Sequence, residues 1–164
     1  MSAPARPFTR VLIANRGEIA ARVVREANAM GLVPIAIYSD ADEWSAHAVS
    51  AKVRRRVGPA AAAHSYLNVP AILAIARETG AEAVHPGYGF LAENADFAQS
   101  VIDAGMVWIG PSPEAIRAMG DKGAAKRIAR AAGVPLIPGY DGEDQDDARL
   151  AREAEAIGWP GMIK

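Results

Sequence analysis

Residues 9–38 read TRVLIANRGEIAARVVREANAMGLVPIAIY, and this stretch decides the fold class. Thr9–Ala14 and Val33–Tyr38 are short apolar runs of the kind found in strands that are buried on both faces. The apolar positions between them recur at helical spacing on one stripe: Ile19, Val23, Ala27 and Met30. Gly31 is a typical residue at which such a helix ends. A strand, a helix and a second strand predict a right-handed βαβ unit with parallel strands.

The same alternation of strands and helices continues as far as Ile109. Further strands are predicted at Arg56–Val57, Glu82–His85 and Met106–Ile109, and further helices at Ser45–Ala51, Val69–Thr79 and from Asn94 to Asp103. Asn68 and Asn94 precede two of these helices and are suited to cap their N-termini. The alternation predicts an α/β fold, with a Rossmann-like doubly wound parallel sheet over residues 1–110.

The pattern changes at Gly110–Pro113, a cluster of residues that break regular structure. Beyond it the sequence predicts helices at Glu114–Met119 and Lys122–Ala132, an extended linker over 133–139, a helix with a stripe of Leu150, Ala154 and Ile157, and a strand over Gly161–Lys164. The five acids in Asp141–Asp147 are interpreted as a solvated loop and a helix N-terminus. We assign 111–164 to linker helices and the first part of a second, truncated domain. A domain this small is not expected to stand alone, so the chain is predicted to be a fragment of a longer enzyme.

The composition excludes several classes of protein. The chain has 164 residues, a net charge of −1, three histidines and no cysteine. Without cysteine there is no disulfide scaffold, thiolate nucleophile or cysteine-containing metal site, and we predict no metal site in this chain. The charge argues against nucleic-acid binding, and no apolar run approaches the ~18 residues of a membrane span. The N-terminus MSAPARPF lacks the apolar region of a secretory signal, so a cytoplasmic location is expected.

The turn after the first predicted strand is Asn15-Arg16-Gly17-Glu18. A dinucleotide site at this position needs the pattern GxGxxG, because its glycines let backbone amides approach a pyrophosphate. Only one of those glycines, Gly17, is present, so the sequence disfavours NAD binding. We interpret the turn as a tight connection in which Arg16 and Glu18 form a local ion pair.

The loop after the Glu82–His85 strand is the first candidate binding site, because parallel sheets bind ligands at the carboxyl ends of their strands. Residues 85–94 read HPGYGFLAEN. The two glycines would bring backbone amides near a ligand, Tyr88 offers an aromatic face and a hydroxyl, and Glu93 offers a carboxylate. Two interpretations remain open here: a ligand-binding loop, or a stiff connection in which Glu93 caps the next helix. His85 by itself is more typical of a structural imidazole than of a catalyst.

Two of the four lysines are the second candidate site. Lys122 lies at a predicted helix start, where the dipole gives a cation no benefit but would help bind phosphate. Lys164 ends an apolar strand, and its same-face neighbour is Met162. The alternatives are a solvated lysine beside Asp121 and a lysine that protects a strand edge. The run Arg54–Arg56 is interpreted as a solvated strand edge.

The order of these motifs resembles the biotin carboxylase family. The matching segments, in chain order, are IANRGEIAARV (13–23), YSDAD (38–42), SYLNVPAI (65–72), HPGYGFLAEN (85–94), WIGPSPEAIRAMGDKGAAK (108–126), AGVPLIPG (132–139) and GWPGMIK (158–164). They span nearly the whole chain, and HPGYGFL together with MGDK is the most specific combination. The resemblance implies a Rossmann-like domain that precedes an ATP-grasp domain, followed by the opening of the ATP-grasp domain itself.

The resemblance also implies roles for individual residues. Lys122 and Lys164 match the two lysines that contact ATP in this family. Tyr88 and Gly89 match the loop that approaches the biotin ring, and Glu93 matches a carboxylate at the border of that pocket. The glycine-rich lid, the acidic magnesium ligands and the catalytic residues of the C-terminal half match nothing in this chain. The 164-residue piece alone is therefore expected to be inactive.

Arg22 and Arg25 match positions near the dimer interface of bacterial members of the family. The sequence departs from the family pattern at residues 51–53, where relatives usually carry Ala-Asp-Glu and this chain carries Ala-Lys-Val. The departure lies far from the ATP motifs in sequence and puts only local surface contacts in question.

The activity implied by the resemblance is a ligase reaction in two steps. ATP phosphorylates bicarbonate to carboxyphosphate, and the carbon dioxide released from it carboxylates a ring nitrogen of biotin on a carrier. ATP with Mg²⁺, bicarbonate and carrier-bound biotin are thus implied. The implied partners are a biotin carboxyl carrier protein or domain, a carboxyltransferase component and a homodimer or larger assembly. The expected location is the cytoplasm, or an organelle matrix in a eukaryote.

Two other interpretations compete with this one. The first is another ATP-grasp ligase, such as carbamoyl-phosphate synthetase, in which HPGYGFLAEN is not expected. The second is an inactive fragment that serves only as an interaction module.

Overall fold

A computed structural model of the chain describes residues 7–120 and 122–162, with only the backbone described at Lys122. Within these residues the strands are β1 (Arg10–Ile13), β2 (Val33–Ser39), β3 (Val53–Gly58), β4 (Ala83–His85) and β5 (Val107–Trp108). They form one parallel sheet in the order β3-β2-β1-β4-β5. The chain runs outward from β1 to β3 and then continues on the other side of β1, which is the order of a doubly wound fold. The predicted α/β parallel sheet is confirmed.

Seven α-helices lie in the described residues: α1 (Gly17–Ala29), α2 (Ala46–Ser50), α3 (Val69–Glu78), α4 (Ala95–Asp103), α5 (Pro113–Gly120), α6 (Lys122–Ala131) and α7 (Asp147–Ile157). The predicted caps of α3 and α4 are confirmed. Asn68 Oδ1 accepts from the N–H of Ala71 at 3.2 Å, and Asn94 Oδ1 accepts from the N–H of Phe97 at 2.8 Å. Gly31 has a φ of 72° just beyond the end of α1, as a helix-ending glycine should.

The hydrophobic core lies on both faces of the sheet because side chains alternate along each strand. Leu12 of β1 packs in one buried cluster with side chains of α3 and α4, whereas the next residue, Ile13, packs with Val24 of α1. Phe97 is fully buried in the first cluster, and its ring meets that of Trp108 edge to face at 5.5 Å. Burying each such aliphatic side chain contributes about 1.5–3 kcal/mol, so the sheet holds both helical layers in place.

Strand β3 forms one edge of the sheet and is longer than the two residues predicted for it. Arg54–Arg56 lie on it, and the predicted solvated strand edge is confirmed. Arg55 Nε is 2.8 Å from Glu78 Oε1, and Arg56 Nη2 is 2.9 Å from Asp40 Oδ2. These ion pairs are exposed and therefore add little to stability.

The chain divides into two compact units, with the boundary between Ile116 and Arg117. The first unit contains the sheet, and the second contains α6 and α7. Asp146 caps α7 by accepting from the N–H groups of Ala148 at 3.1 Å and Arg149 at 3.3 Å. This cap confirms that the acidic segment forms a helix N-terminus.

The last predicted strand lies partly outside the described residues. Gly161 and Met162 are not in a strand, and Ile163 and Lys164 lie outside the described residues. In the part of the chain that the structure describes, no helix has the length and apolar character needed to cross a membrane.

Candidate functional site

The candidate site lies at the carboxyl ends of β1 and β4, where the strand order reverses and open α/β sheets bind ligands. Strand β1 leads into the turn of residues 15–18, and β4 leads into residues 86–90, named here the tyrosine loop. The N–H of Ala14 donates to the carbonyl oxygen of His85 at 2.9 Å. The two connections therefore leave the sheet side by side.

Asn15 is fully buried at the start of the turn, although its side chain is polar. Its Nδ2 donates to the carbonyl oxygens of Pro86 at 2.8 Å and Tyr88 at 3.0 Å, and its Oδ1 accepts from the N–H of Arg16 at 2.9 Å. Between the two carbonyls, Gly87 has a φ of 68°, and a Cβ there would lie 2.7 Å from Asn15 Nδ2. The loop backbone thus packs directly on this side chain, and glycine is required at position 87.

Tyr88 extends from the tyrosine loop and is 58% exposed. Its hydroxyl donates to Glu18 Oε1 at 2.6 Å, and this hydrogen bond raises the pKa of Tyr88. The hydroxyl therefore remains a neutral donor at physiological pH while the ring stays accessible to a ligand. Gly89 and Glu93 lie on the same connection and are exposed. The alternative in which Glu93 caps α4 is wrong, because Asn94 supplies that cap.

Arg16 does not form the predicted local ion pair with Glu18. Its Nη1 lies 3.5 Å from Asp42 Oδ2, and its guanidinium carbon lies 5.8 Å from the ring centroids of Tyr66 and of Phe90. The prediction is wrong because Arg16 precedes α1 in an extended conformation, with φ −137° and ψ 179°. Its side chain therefore does not share a helical face with Glu18. Arg16 instead connects the turn to the aromatic ring at the end of the tyrosine loop.

A buried polar network at the end of β2 supports Arg16. The Tyr66 hydroxyl donates to Asp42 Oδ2 at 2.7 Å and accepts from the N–H of Ser39 at 2.8 Å. Burial raises the pKa of Tyr66 to about 12. Although burial opposes it, hydrogen bonds from Tyr66 and Ser39 lower the pKa of Asp42, so this residue is a carboxylate at neutral pH. The network therefore supplies a fixed negative charge for the guanidinium.

Two histidines lie near the turn and the loop, His47 fully buried and His85 partly buried. The Nε2–H of His47 donates to the carbonyl oxygen of Ile37 at 3.2 Å, which leaves Nδ1 to accept from the N–H of Gly17 at 3.3 Å. The Nδ1 of His85 accepts from the N–H of Gly87 at 2.9 Å, consistent with the predicted structural imidazole. Burial lowers the pKa of both histidines below the usual value of 6.5.

These histidines predict that the folded chain loses stability in mild acid. Below about pH 6.5 the imidazoles of the unfolded chain become protonated, whereas His47 and His85 of the folded chain stay neutral to lower pH, so the free energy of unfolding falls as the pH falls. The loss amounts to at most about 1.4 kcal/mol per pH unit for each imidazole. Urea unfolding between about pH 7.5 and about pH 5.5 measures this slope. His47→Gln should flatten it and the exposed His64→Gln should not; equal slopes in wild type and His47→Gln would contradict the prediction.

An apolar cavity of about 460 Å³ lies beside α1 and reaches the tyrosine loop. Apolar side chains form most of its wall, including Val11 of β1 and Val23 of α1, and Tyr88, Arg22 and Glu26 also line it. Arg22 thus lies next to Tyr88, although the sequence suggested two separate sites for them. Arg25 is 72% exposed, and its Nε lies 3.3 Å from Glu26 Oε1.

The sequence model of the biotin carboxylase N-terminal domain matches residues 7–116, which is more than half of the chain. This chain belongs to the biotin carboxylase N-terminal domain family.

Curated relatives agree with the family match. The mitochondrial methylcrotonoyl-CoA carboxylase subunit alpha of Oryza sativa subsp. japonica is 56% identical over 155 residues, which cover 94% of this chain and 21% of the relative. The biotin carboxylase of Allochromatium vinosum is 51% identical over 156 residues, which cover 94% of this chain and 35% of the relative. The chain thus spans 21% to 35% of the length of these relatives.

Solved structures show the same similarity. One is the biotin carboxylase domain dimer of Hydrogenobacter thermophilus 2-oxoglutarate carboxylase, in complex with MgADP, ADP and bicarbonate. It superposes with a TM-score of 0.84 at 42% identity, over 95% of this chain and 34% of that one. The biotin carboxylase domain of a single-chain bacterial carboxylase gives a TM-score of 0.81 at 44% identity, over 87% of this chain and 33% of that one.

The two lysines predicted from the biotin carboxylase motifs lie at the limits of what the structure describes. Lys122 is the first residue of α6, as predicted, but its side chain lies outside the described residues. Lys164 also lies outside them. Among the described residues, no group of three or more histidine and acidic side chains is placed to hold a metal ion.

Several residues of this biotin carboxylase domain site could not be assigned from the sequence. Asn15 carried a usable signal, since a polar residue directly after a buried strand needs an internal partner. Asp42 and Tyr66 carried no such signal, because the contact between them joins segments 24 residues apart. The sequence did single out Arg16, but its actual partner, Asp42, follows the neighbouring strand β2.

Proposed function

We propose that the full-length protein is the biotin carboxylase component of a biotin-dependent carboxylase. ATP would transfer its terminal phosphoryl group to bicarbonate, and the resulting carboxyphosphate would release carbon dioxide and phosphate. A ring nitrogen of carrier-bound biotin would then take up the carbon dioxide and lose its proton. The observation that carries the proposal is the HPGYGFLAEN segment at the strand-order reversal, in a chain whose family is established.

The tyrosine loop is the proposed binding site for biotin. Tyr88 would place its exposed ring against the bicyclic ring of biotin, and Gly89 would allow close approach of the backbone. Glu93 would border the same pocket. The hydrogen bond from Tyr88 to Glu18 and the contact of the loop with Asn15 support a preformed site, which lowers the ordering cost of binding.

Lys122 and Lys164 are the proposed phosphate ligands. Phosphoryl transfer depends mainly on positioning and on cations that stabilise the spreading negative charge. Lysine suits this role because it is a compact charge that accepts several phosphate geometries. Magnesium bound with ATP would neutralise further phosphate charge, and we propose that its acidic ligands and the catalytic base lie in the rest of the protein.

We further propose that residues 1–110 form the Rossmann-like domain and that 111–164 open the ATP-grasp domain. The proposed partners are a biotin carboxyl carrier protein or domain, a carboxyltransferase component and a second copy of the chain. The cytoplasm or an organelle matrix is the proposed location; one similar plant protein is mitochondrial.

The test of the function uses the full-length protein with ATP, Mg²⁺, labelled bicarbonate and free biotin. We expect ADP release that requires bicarbonate and rises with biotin, together with transfer of the label to biotin. An ATPase that ignores biotin and labels nothing would contradict the proposal. Stimulation by ammonia or glutamine instead of biotin would point to the carbamoyl-phosphate type of ligase.

Arg22 and Arg25 of α1 lead to a prediction about self-association. We propose that both arginines lie at the dimer interface. In a two-fold symmetric dimer each copy of the chain would contribute both of them to that interface. If these arginines meet acidic groups of the second copy, reversing their charge in Arg22→Glu/Arg25→Glu replaces attraction by repulsion and should weaken dimerisation of the full-length protein about tenfold or more. Sedimentation velocity measures the dissociation constant. Arg77→Glu, on the exposed surface of α3, is the control, and a double variant that dimerises like wild type would contradict the assignment.

A further inference from the structure

We infer that Asn15 is a positioning residue for the tyrosine loop, and that it controls the affinity for biotin without touching biotin. The inference rests on the proposed function for the identity of the ligand. Both N–H groups of the Asn15 side-chain amide donate to the tyrosine loop, one to the carbonyl oxygen of Pro86 and one to that of Tyr88. Its Oδ1 is held by the N–H of Arg16, so the amide cannot rotate to other partners.

The two accepting carbonyls flank Gly87 and therefore fix its backbone from both sides. Gly87 has a φ of 68°, a conformation that most residues avoid. Asn15 also packs so closely against it that no side chain would fit at position 87. A second bond within the loop runs from the N–H of Gly87 to His85 Nδ1 at 2.9 Å. The orientation of the peptide that leads to Tyr88 is thus set by two side chains, those of Asn15 and His85.

Asn15 and Glu18 hold Tyr88 at its two ends. Asn15 binds the backbone carbonyl, and Glu18, three residues later in the first turn of α1, binds the hydroxyl at 2.6 Å. The side-chain bond is exposed to water, whereas the Asn15 side chain is fully buried. A buried hydrogen bond to a fixed partner tolerates less movement than an exposed one, so the backbone bond dominates the position of the ring.

The chemistry of the site admits asparagine and rejects its closest isostere. In Asn15→Asp the carboxylate has no proton to donate, and it would place a buried negative charge against two carbonyl oxygens. Asn15→Ala removes both donors and leaves both carbonyls without that partner, but adds no charge. Both variants should release the loop while the sheet core, which holds Leu12 and Ile13, remains packed.

The experiment uses the full-length enzyme and has one readout that does not depend on activity. Hydrogen exchange reports on the N–H groups of Gly87, Ala92 and Asn94, which are hydrogen-bonded within the connection from β4 to α4. We expect exchange at these positions to be at least about tenfold faster in Asn15→Asp. In steady-state assays, kcat/KM for biotin should fall roughly ten- to hundred-fold, whereas KM for ATP should change less than about twofold.

The matched control is Thr79→Val. Thr79 is also buried and also donates a hydrogen bond, from Oγ1 to the carbonyl oxygen of Ile75 at 2.6 Å. It lies beside Arg10 at the opposite end of β1, so its loss should lower stability and leave both loop exchange and biotin kinetics unchanged. If Asn15→Asp does not fold, Asn15→Ala is measured in the same way.

A double-mutant cycle with Tyr88→Ala tests whether Asn15 acts through the loop. Once the ring is removed, adding Asn15→Asp should lower kcat/KM for biotin by no more than about twofold. Unchanged loop exchange in both Asn15 variants, or fully additive effects in the cycle, would overturn the inference. If Tyr88→Ala leaves biotin kinetics unchanged while Asn15→Asp still frees the loop, the positioning role stands and the proposed ligand of the loop is wrong.

Discussion

Replacement of Lys122 or Lys164 by glutamine in the full-length enzyme is expected to lower kcat/KM for ATP roughly ten- to hundred-fold. Each substitution would remove one charge-assisted contact with phosphate, which contributes about 1.5–3 kcal/mol. Lys122 opens α6, where the positive end of the helix dipole disfavours a cation unless an anion binds there. Its neighbours four positions away are Ala118 and Lys126, so the sequence places no acid at the spacing that pairs charges along a helix.

Lys126 provides a matched control on the same helix. It lies close enough to Asp141 to help lower the pKa of that carboxyl group, behind the larger effect of Arg130. Lys126→Gln should therefore leave the ATP kinetics near wild type. Steady-state kinetics with varied ATP at saturating bicarbonate and biotin distinguish the cases. If Lys122→Gln and Lys164→Gln both keep the wild-type kcat/KM, neither lysine binds phosphate.

The fold could be predicted from the sequence because its strongest signals are local. Apolar runs and asparagine caps lie within single elements, and the structure has the strands of Thr9–Ala14 and Val33–Tyr38 within about one residue of the prediction. Strand β3 was predicted least well, because its three arginines interrupt the apolar pattern of a strand. These arginines are explained by the position of β3 at the edge of the sheet, where side chains meet water. The bounds of a strand can thus be predicted from the sequence when both of its faces are buried, and less well when one side is exposed to water.

The candidate site was less predictable because its contacts join distant segments. The sequence identified Tyr88 as a ligand-binding candidate, because its loop follows a strand of a parallel sheet, but left a stiff connection as an equal alternative. It did not identify the tyrosine hydroxyl as the partner of Glu18 or the loop as the partner of Asn15, because these pairs are 70 and 73 residues apart. The wrong ion pair of Arg16 has the same origin, since proximity in sequence was taken for proximity in space.

Replacement of Tyr88 by alanine in the full-length enzyme is expected to raise KM for biotin or the carrier far more than KM for ATP. Loss of a positioning contact with the substrate should lower kcat/KM for biotin by about 1–3 kcal/mol, or roughly five- to 150-fold. Tyr88 is 58% exposed, so its truncation leaves no buried cavity and the free energy of unfolding should hardly change. An effect on biotin would therefore come from the lost contact and not from unfolding.

Two further variants distinguish the effect of the Tyr88 ring from that of its hydroxyl, and from the effect of losing any exposed aromatic side chain. Tyr88→Phe keeps the ring but loses the bond to Glu18, so it should retain more biotin affinity than Tyr88→Ala if stacking dominates. Trp44→Ala removes an aromatic ring that is 75% exposed and lies over Arg54, away from the loop, and should change neither KM. A raised KM for ATP beside an unchanged KM for biotin in Tyr88→Ala would assign the loop to the nucleotide. Because Asn15 fixes the loop backbone in both Tyr88 variants, any difference between Tyr88→Phe and Tyr88→Ala reports on the side chain at position 88 alone.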